Sequence, residues 1–267
     1  PGVPSRAQES SFGLYGWGGA VNEVAPDAMA FVHRDAVMMV KTEILWDPID
    51  DPDPAAIRKA MTAFRTSLER CSRAGHRLGA SRAQSNIALV LDRTGHTAEA
   101  ASLLEELLAD QAEWAEPEEA LNDLNTLANC YTHLGRHSDA LRTAHRLQEV
   151  AETVHSPPHL GLAQDAIGSA YLDLGQPEAA CEALERARQL YLDTGDPAAG
   201  ARTGRDLGLA HLAAGRPERA RREWQHCLRQ LDALGVADGG VLSRQEVLDL
   251  LAGLPEGQAR RGGSTGT

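Results

Sequence analysis

The sequence contains few lysines, aromatic residues and cysteines, and each shortage narrows what the chain can do. Lys41 and Lys59 are its only lysines, and the net charge of its 267 residues is −12. An acidic surface repels phosphate, so the composition disfavours direct nucleic-acid binding. Aromatic residues make up 4% of the chain, which is little for a platform that stacks bases.

Motifs that mark metal or nucleotide sites are missing as well. The sequence contains no Walker loop, no GxGxxG loop and no HExxH motif. The cysteines form no CxxC pair, so we expect buried free thiols rather than a zinc site; they are Cys71, Cys130, Cys181 and Cys227. We therefore expect no catalytic residue, no metal and no cofactor. No apolar run is long enough for a bilayer and no signal peptide is visible, which predicts a cytoplasmic protein without a membrane partner.

An internal repeat of 40 residues dominates the sequence. Glycine recurs at that step, with an alanine five residues after each one; the glycines are Gly95, Gly135, Gly175 and Gly215. Eight residues before each glycine stands Ile or Leu, followed by Ala or Gly. This spacing places apolar and small residues on one face of a helix that ends at the glycine, because glycine tolerates a left-handed turn. The pattern predicts helical hairpins that stack into a solenoid.

Several of these segments, such as AIGSAYLDLGQPEAACEALERARQLY, resemble tetratricopeptide repeats. The step of 40 is longer than the usual step of about 34 residues. The resemblance extends over about residues 76–254 and is similar to the C-terminal repeat arrays of actinobacterial transcriptional activators of the Streptomyces antibiotic regulatory type. It implies a mainly α fold, a TPR-type solenoid of four repeats with a C-terminal capping helix, in a bacterial regulatory protein.

The first third of the chain has a different pattern. β-rich runs at 15–24, 29–33 and 36–46 predict a small β-rich α+β segment over residues 1–54, followed by a connecting helix over 55–80. The stretch YGWGGAVNEVAPDAMAFVHRDAVMMVKTEILWD resembles the C-terminal substrate domain of berberine-bridge-enzyme-like FAD-linked oxidases, over about residues 10–68. The flavin domain of that family has no counterpart in this sequence. The resemblance therefore implies FAD only if the missing oxidase domain is supplied.

The outward side of the first helix of each repeat is the candidate binding surface. The tetratricopeptide resemblance implies that these helices line a concave groove, in which asparagine amides pair with the backbone of an extended peptide. Arginines there could neutralise a carboxylate of the partner. The predicted peptide-binding groove consists of Arg82, Ser85, Asn122, Asn125, Asn129, His133, Asp165, Ser169, Arg202 and Arg205.

Two functions of different classes remain open from the sequence. The favoured one is a protein–protein interaction scaffold, whose solenoid over residues 81–254 binds a peptide, a partner protein or another domain of a parent regulator. Residues 255–267 are then a disordered tail. The alternative is the C-terminal remnant of a berberine-bridge-enzyme-like FAD-dependent oxidoreductase, inactive alone because the flavin domain is missing.

Overall fold

The computed structural model describes residues 54–234 and 244–254, and these residues form ten α-helices. A 3₁₀ turn over Pro117–Glu119 precedes the fourth helix, and no β-strand occurs within the described ranges. The predicted helical-hairpin architecture is confirmed for this part of the chain. The helices are α1 (Pro54–Arg73), α2 (Arg77–Arg93), α3 (Thr97–Gln111), α4 (Ala120–His133), α5 (His137–Thr153), α6 (Pro157–Asp173), α7 (Pro177–Asp193), α8 (Pro197–Ala213), α9 (Pro217–Leu234) and α10 (Arg244–Ala252).

The chain divides after Val90 into two compact units. The described part of the first unit contains α1 and most of α2, and Phe64 lies buried on the apolar stripe of α1. The expected single helix over 55–80 is instead two helices, because Gly75 turns the backbone left-handed (φ +67°) between them. The predicted β-rich segment and the predicted tail lie outside the described residues, apart from Pro54.

The second unit is a stack of helical hairpins. Each helix from α3 to α10 packs on the next one along the chain. We call α4, α6 and α8 the first helices of the hairpins, and α3, α5, α7 and α9 the second helices. The first helices also contact one another, α4 with α6 and α6 with α8, more extensively than successive second helices do. The first helices therefore lie on the inner side of this stack.

The first helices end at the repeated glycines through a common capping motif. At the end of α4, Gly135 (φ +70°) donates its N–H to the Thr132 carbonyl at 3.0 Å. Arg136 donates to the Tyr131 carbonyl at 2.8 Å. These two bonds satisfy carbonyls that the helix leaves unpaired. Both form because Gly135 adopts the left-handed conformation. Proline then occupies the first position of the following helix, at Pro177 and Pro217, as the sequence predicts.

The second helices α5 and α7 end by the same geometry, 20 residues after the glycines that end α4 and α6, whereas α3 ends without a left-handed residue. Gly195 (φ +74°) ends α7, whereas His155 (φ +56°) ends α5. The Ser156 N–H donates to the Ala151 carbonyl at 2.9 Å, which closes the same type of turn. A histidine thus holds a conformation that favours glycine. The sequence pattern did not reveal this helix end, since no glycine marks it.

The core between paired helices depends on matching residue sizes. The small position of each first helix faces a position on the second helix of the same hairpin. In the later hairpins, Gly168 faces Leu184, and Gly208 faces the fully buried Trp224. A glycine on the first helix thus accommodates a large side chain on the second, so these glycines serve close packing.

Candidate functional site

Four groove residues predicted from the sequence lie on α4, three asparagines and His133. Asn122 and Asn129 are exposed and Asn125 is half-buried. The side chains of Asn125 and Asn129 make no hydrogen bond within the part of the chain that the structure describes. One turn separates them, so both amides point to the same side of the helix. They are available to donate to and accept from the backbone of a ligand.

Ser169 extends this polar row onto α6. It stands 40 residues after Asn129, at the same position of the next repeat, and α4 contacts α6. Its side chain is half-buried and likewise has no hydrogen-bond partner among the described residues. We name Asn125, Asn129 and Ser169 the amide row. It offers unpaired donors and acceptors on adjacent first helices.

Asn122 and His133, at opposite ends of α4, already have partners in the fold. The Asn122 Oδ1 lies 3.4 Å from Nε2 of His159, whose Nδ1 is 2.7 Å from the Ser156 hydroxyl. Burial lowers the pKa of His159. His133 Nδ1 is 3.1 Å from the carboxylate of Asp92, and the imidazole remains largely exposed. Both residues border the amide row.

Asp165 forms the centre of a partly buried ionic cluster between α6 and α8. It accepts a hydrogen bond from the Thr203 hydroxyl at 2.8 Å and lies 3.7 Å from Arg202. Burial raises the pKa of Asp165 to about 6, opposed by the positive charge of Arg202 and reinforced by the negative charge of Asp206. The carboxylate therefore titrates close to neutrality, rather than in the acidic range usual for aspartate.

Arg205 extends this cluster to the capping helix α10. Its guanidinium lies 2.7 Å from Asp206 and 3.1 Å from Glu246 of α10. Arg202 and Arg205, which the sequence suggested as binders of a partner's carboxylate, thus pair with carboxylates of their own chain. Sequence reasoning missed Asp206, although it directly follows Arg205 in the chain. It also missed Glu246, which lies outside the repeats and becomes a neighbour only through the packing of α10.

The two remaining groove residues, Arg82 and Ser85, lie on α2 in the first unit. Arg82 is exposed, and the Ser85 hydroxyl donates to the Ser81 carbonyl one turn earlier at 3.1 Å. The structure gathers the other predicted groove residues on three neighbouring helices of the second unit. Two of the ten predicted groove residues thus lie in the first unit and eight lie in the second.

Other kinds of site find little support in the described residues. No group of three His, Cys, Asp or Glu side chains there is arranged to hold a metal ion. All four cysteines are buried free thiols, as the sequence predicts. Burial is the largest of the effects that raise the pKa of Cys130 to about 12 and that of Cys227 to about 11. None of the described helices is long and apolar enough to span a membrane.

Comparisons with known proteins agree with this architecture. Models of the tetratricopeptide repeat match residues 118–193, 81–106 and 201–226. No curated protein has a sequence that matches this one. The resemblances to the actinobacterial activators and to the FAD-linked oxidases find no support among these matches and stay predictions.

Solved structures with the same fold have distant sequences. BtubC (BKLC) from P. vanneervenii is 16% identical, with a TM-score of 0.62 over 73% of this chain and 82% of that protein. A putative kinesin light chain from Podosopora anserina with nearly identical TPR-like repeats is 21% identical, with a TM-score of 0.52 over 68% of this chain and 88% of that one. RapI is 10% identical, with a TM-score of 0.54 over 76% of this chain and 60% of RapI. At these identities the likeness concerns the fold, and together with the matched repeat models it shows that the helices of the second unit form a TPR-like solenoid.

Proposed function

We propose that this chain is a protein–protein interaction scaffold that binds an extended peptide segment along the first helices of its second unit. The observation that carries the proposal is the amide row. Buried polar side chains usually find partners inside a fold, and exposed ones are solvated. Asn125 and Ser169 are half-buried, yet neither has a partner in the described structure.

The chemistry of the amide row suits main-chain recognition. An asparagine amide offers two donors and an acceptor, so it can pair with both the N–H and the C=O of one peptide group. An extended peptide repeats those groups about every 3.3 Å, so side chains one helical turn apart, about 6 Å, come close to every second peptide group. The row carries no charge, so it would bind the backbone without choosing a side chain.

The ionic cluster next to the amide row contributes selectivity in this proposal. Asp165, Asp206 and Glu246 outnumber Arg202 and Arg205, so the cluster is negative when every group is ionised. A peptide with a basic side chain at that end is therefore favoured over one with an acidic side chain. This differs from the expectation, drawn from the sequence, that the two arginines receive a carboxylate. Regulation of transcription by a parent protein and the oxidase alternative stay predictions, and no contact in the described residues favours either.

Selection from a displayed library of random peptides tests the proposal. The full chain is the bait, and each enriched peptide is then measured by fluorescence anisotropy against Asn125→Ala/Asn129→Ala. Loss of two peptide hydrogen bonds should weaken binding roughly tenfold or more. The matched control is Ser138→Ala/Gln189→Ala, which removes exposed polar groups from the second helices α5 and α7. Peptides that bind the groove variant and the original chain equally, or a selection without enrichment, would contradict the proposal.

A further inference from the structure

The last second helix, α9, exposes a stripe of basic side chains on a chain that is acidic overall. Its members stand at positions i, i+3, i+7 and i+10 of the helix; we name this set, Arg219, Arg222, His226 and Arg229, the arginine stripe. At 100° per residue they lie within about 80° of one another around the helix axis. All four are exposed.

The arginine stripe is not neutralised by the described part of the chain. None of its side chains takes part in an ion pair or hydrogen bond there. The carboxylates of α9 are occupied elsewhere. Glu223 lies 2.7 Å from Arg188 of α7, and Asp232 lies 3.2 Å from Arg244 of α10.

Glu218, the remaining carboxylate of α9, lies 3.9 Å from Arg221, which is outside the stripe. The other second helices differ from α9. On α3 there is no basic residue at all, and Arg142 and Arg186, on α5 and α7, each face a carboxylate of their own helix. Arg146 of α5 is a single exposed guanidinium without a partner among the described residues. An uncompensated row of guanidinium groups is therefore particular to α9 among the second helices.

We propose that the arginine stripe docks an acidic segment of a partner protein, at a second site separate from the amide row. Guanidinium groups form paired hydrogen bonds with carboxylates in a fixed plane, which gives both attraction and orientation. From Arg219 to Arg229 the stripe is about 15 Å long. That length fits a segment that presents three or four carboxylates along one helical face or one extended strand.

The surroundings of the stripe favour an acidic protein segment over a nucleic acid. Helix α7, which Arg188 links to α9, exposes Glu178, Glu182 and Glu185. A phosphate backbone longer than the stripe would run into this negative surface and into a chain of net charge −12. Proteins that hold nucleic acid usually neutralise about six to ten phosphates, more than the stripe can supply. A short acidic segment ends before it reaches the repulsive region.

Fluorescence anisotropy with a labelled oligo-glutamate peptide of about five residues, roughly as long as the stripe, tests this site at low salt. The test variant is Arg222→Gln/Arg229→Gln. The matched control is Arg146→Gln/Arg186→Gln, which removes the same charge from exposed arginines of α5 and α7. We expect the control to bind like the original chain and the stripe variant to bind roughly three- to tenfold more weakly. Circular dichroism of both variants checks that they are folded before their affinities are compared.

Several results would overturn the proposal. An equal loss of peptide affinity in the control variant would mean that only the net charge matters. Unchanged affinity of the stripe variant, or no binding by the original chain, would exclude the site. An oligo-glutamine peptide that binds equally well would exclude charge recognition. An oligothymidylate of the same length that binds more tightly, and loses this affinity in the stripe variant, would assign the stripe to nucleic acid instead.

Discussion

Gly208→Ala should destabilise the second unit strongly, because the added methyl group has no space. Its Cβ would overlap the indole of Trp224, including Nε1. The indole is fully buried, and its Nε1 donates to the Arg205 carbonyl at 2.9 Å, so it cannot move aside without giving up that bond. Overpacking costs about 1–3 kcal/mol, and a lost hydrogen bond costs about 1 kcal/mol more. The higher helix propensity of alanine than of glycine offsets about 0.5–1 kcal/mol of this cost, so we expect a net loss of about 1–3 kcal/mol in the free energy of unfolding.

Gly204→Ala, one turn earlier on the same helix, is the matched control. A Cβ at Gly204 would lie 3.9 Å from the Cβ of Cys227, which is ordinary contact. Alanine is a better helix former than glycine by about 0.5–1 kcal/mol. Glycine-to-alanine substitutions four residues apart should therefore change the free energy of unfolding in opposite directions.

Urea unfolding, followed by circular dichroism and by tryptophan fluorescence, measures both effects. The midpoint should fall for Gly208→Ala and rise for Gly204→Ala. In a double variant, Gly208→Ala/Trp224→Ala, the two losses should not add, because the second substitution removes the overlap. A Gly208→Ala variant as stable as the original chain, or a shift of both single variants in the same direction, would refute the packing argument.

Three further predictions concern a helix end, a buried carboxyl group and the thiols. His155→Gly should raise the free energy of unfolding by about 0.5–1 kcal/mol, since glycine adopts the left-handed conformation at that position more easily; a lower urea midpoint would contradict this. Burial raises the pKa of Asp165 to about 6, so between about pH 4 and 6 this carboxyl group is protonated more often in the folded chain than in the unfolded chain. Its contribution to stability therefore falls as the pH rises through this range. Relative to Asp165→Asn, the original chain should therefore lose stability from about pH 4 to 7 in urea unfolding, and a constant difference would exclude this titration. The four buried thiols should react slowly with Ellman's reagent in the folded chain and readily in denaturant, and fast reaction of the folded chain would show that they are accessible.

The repeat pattern was sufficient to predict the helical hairpins and the ends of the first helices. A glycine every 40 residues marks the end of each first helix, because only a left-handed residue closes that turn at little cost. The end at His155 could not be predicted in this way, since histidine is a poor signal for a left-handed turn. The continuous helix predicted over 55–80 was wrong for a related reason, because Gly75, which turns the backbone between α1 and α2, lies outside the series of glycines 40 residues apart.

The candidate site was only half determined by the sequence. The repeat register put Asn125, Asn129 and Ser169 on a common face of their helices, and the tetratricopeptide resemblance identified that face as the outward one. Tertiary packing decided that Arg202 and Arg205 pair within the chain, because it brings Asp165 and Glu246 from other helices to their guanidinium groups. Charge pairing depends on distances of a few ångströms between helices, and a sequence period carries no such distances. For the same reason, only the fold shows that the carboxylates of α9 pair away from the arginine stripe, which has no ionic partner within residues 54–234 and 244–254.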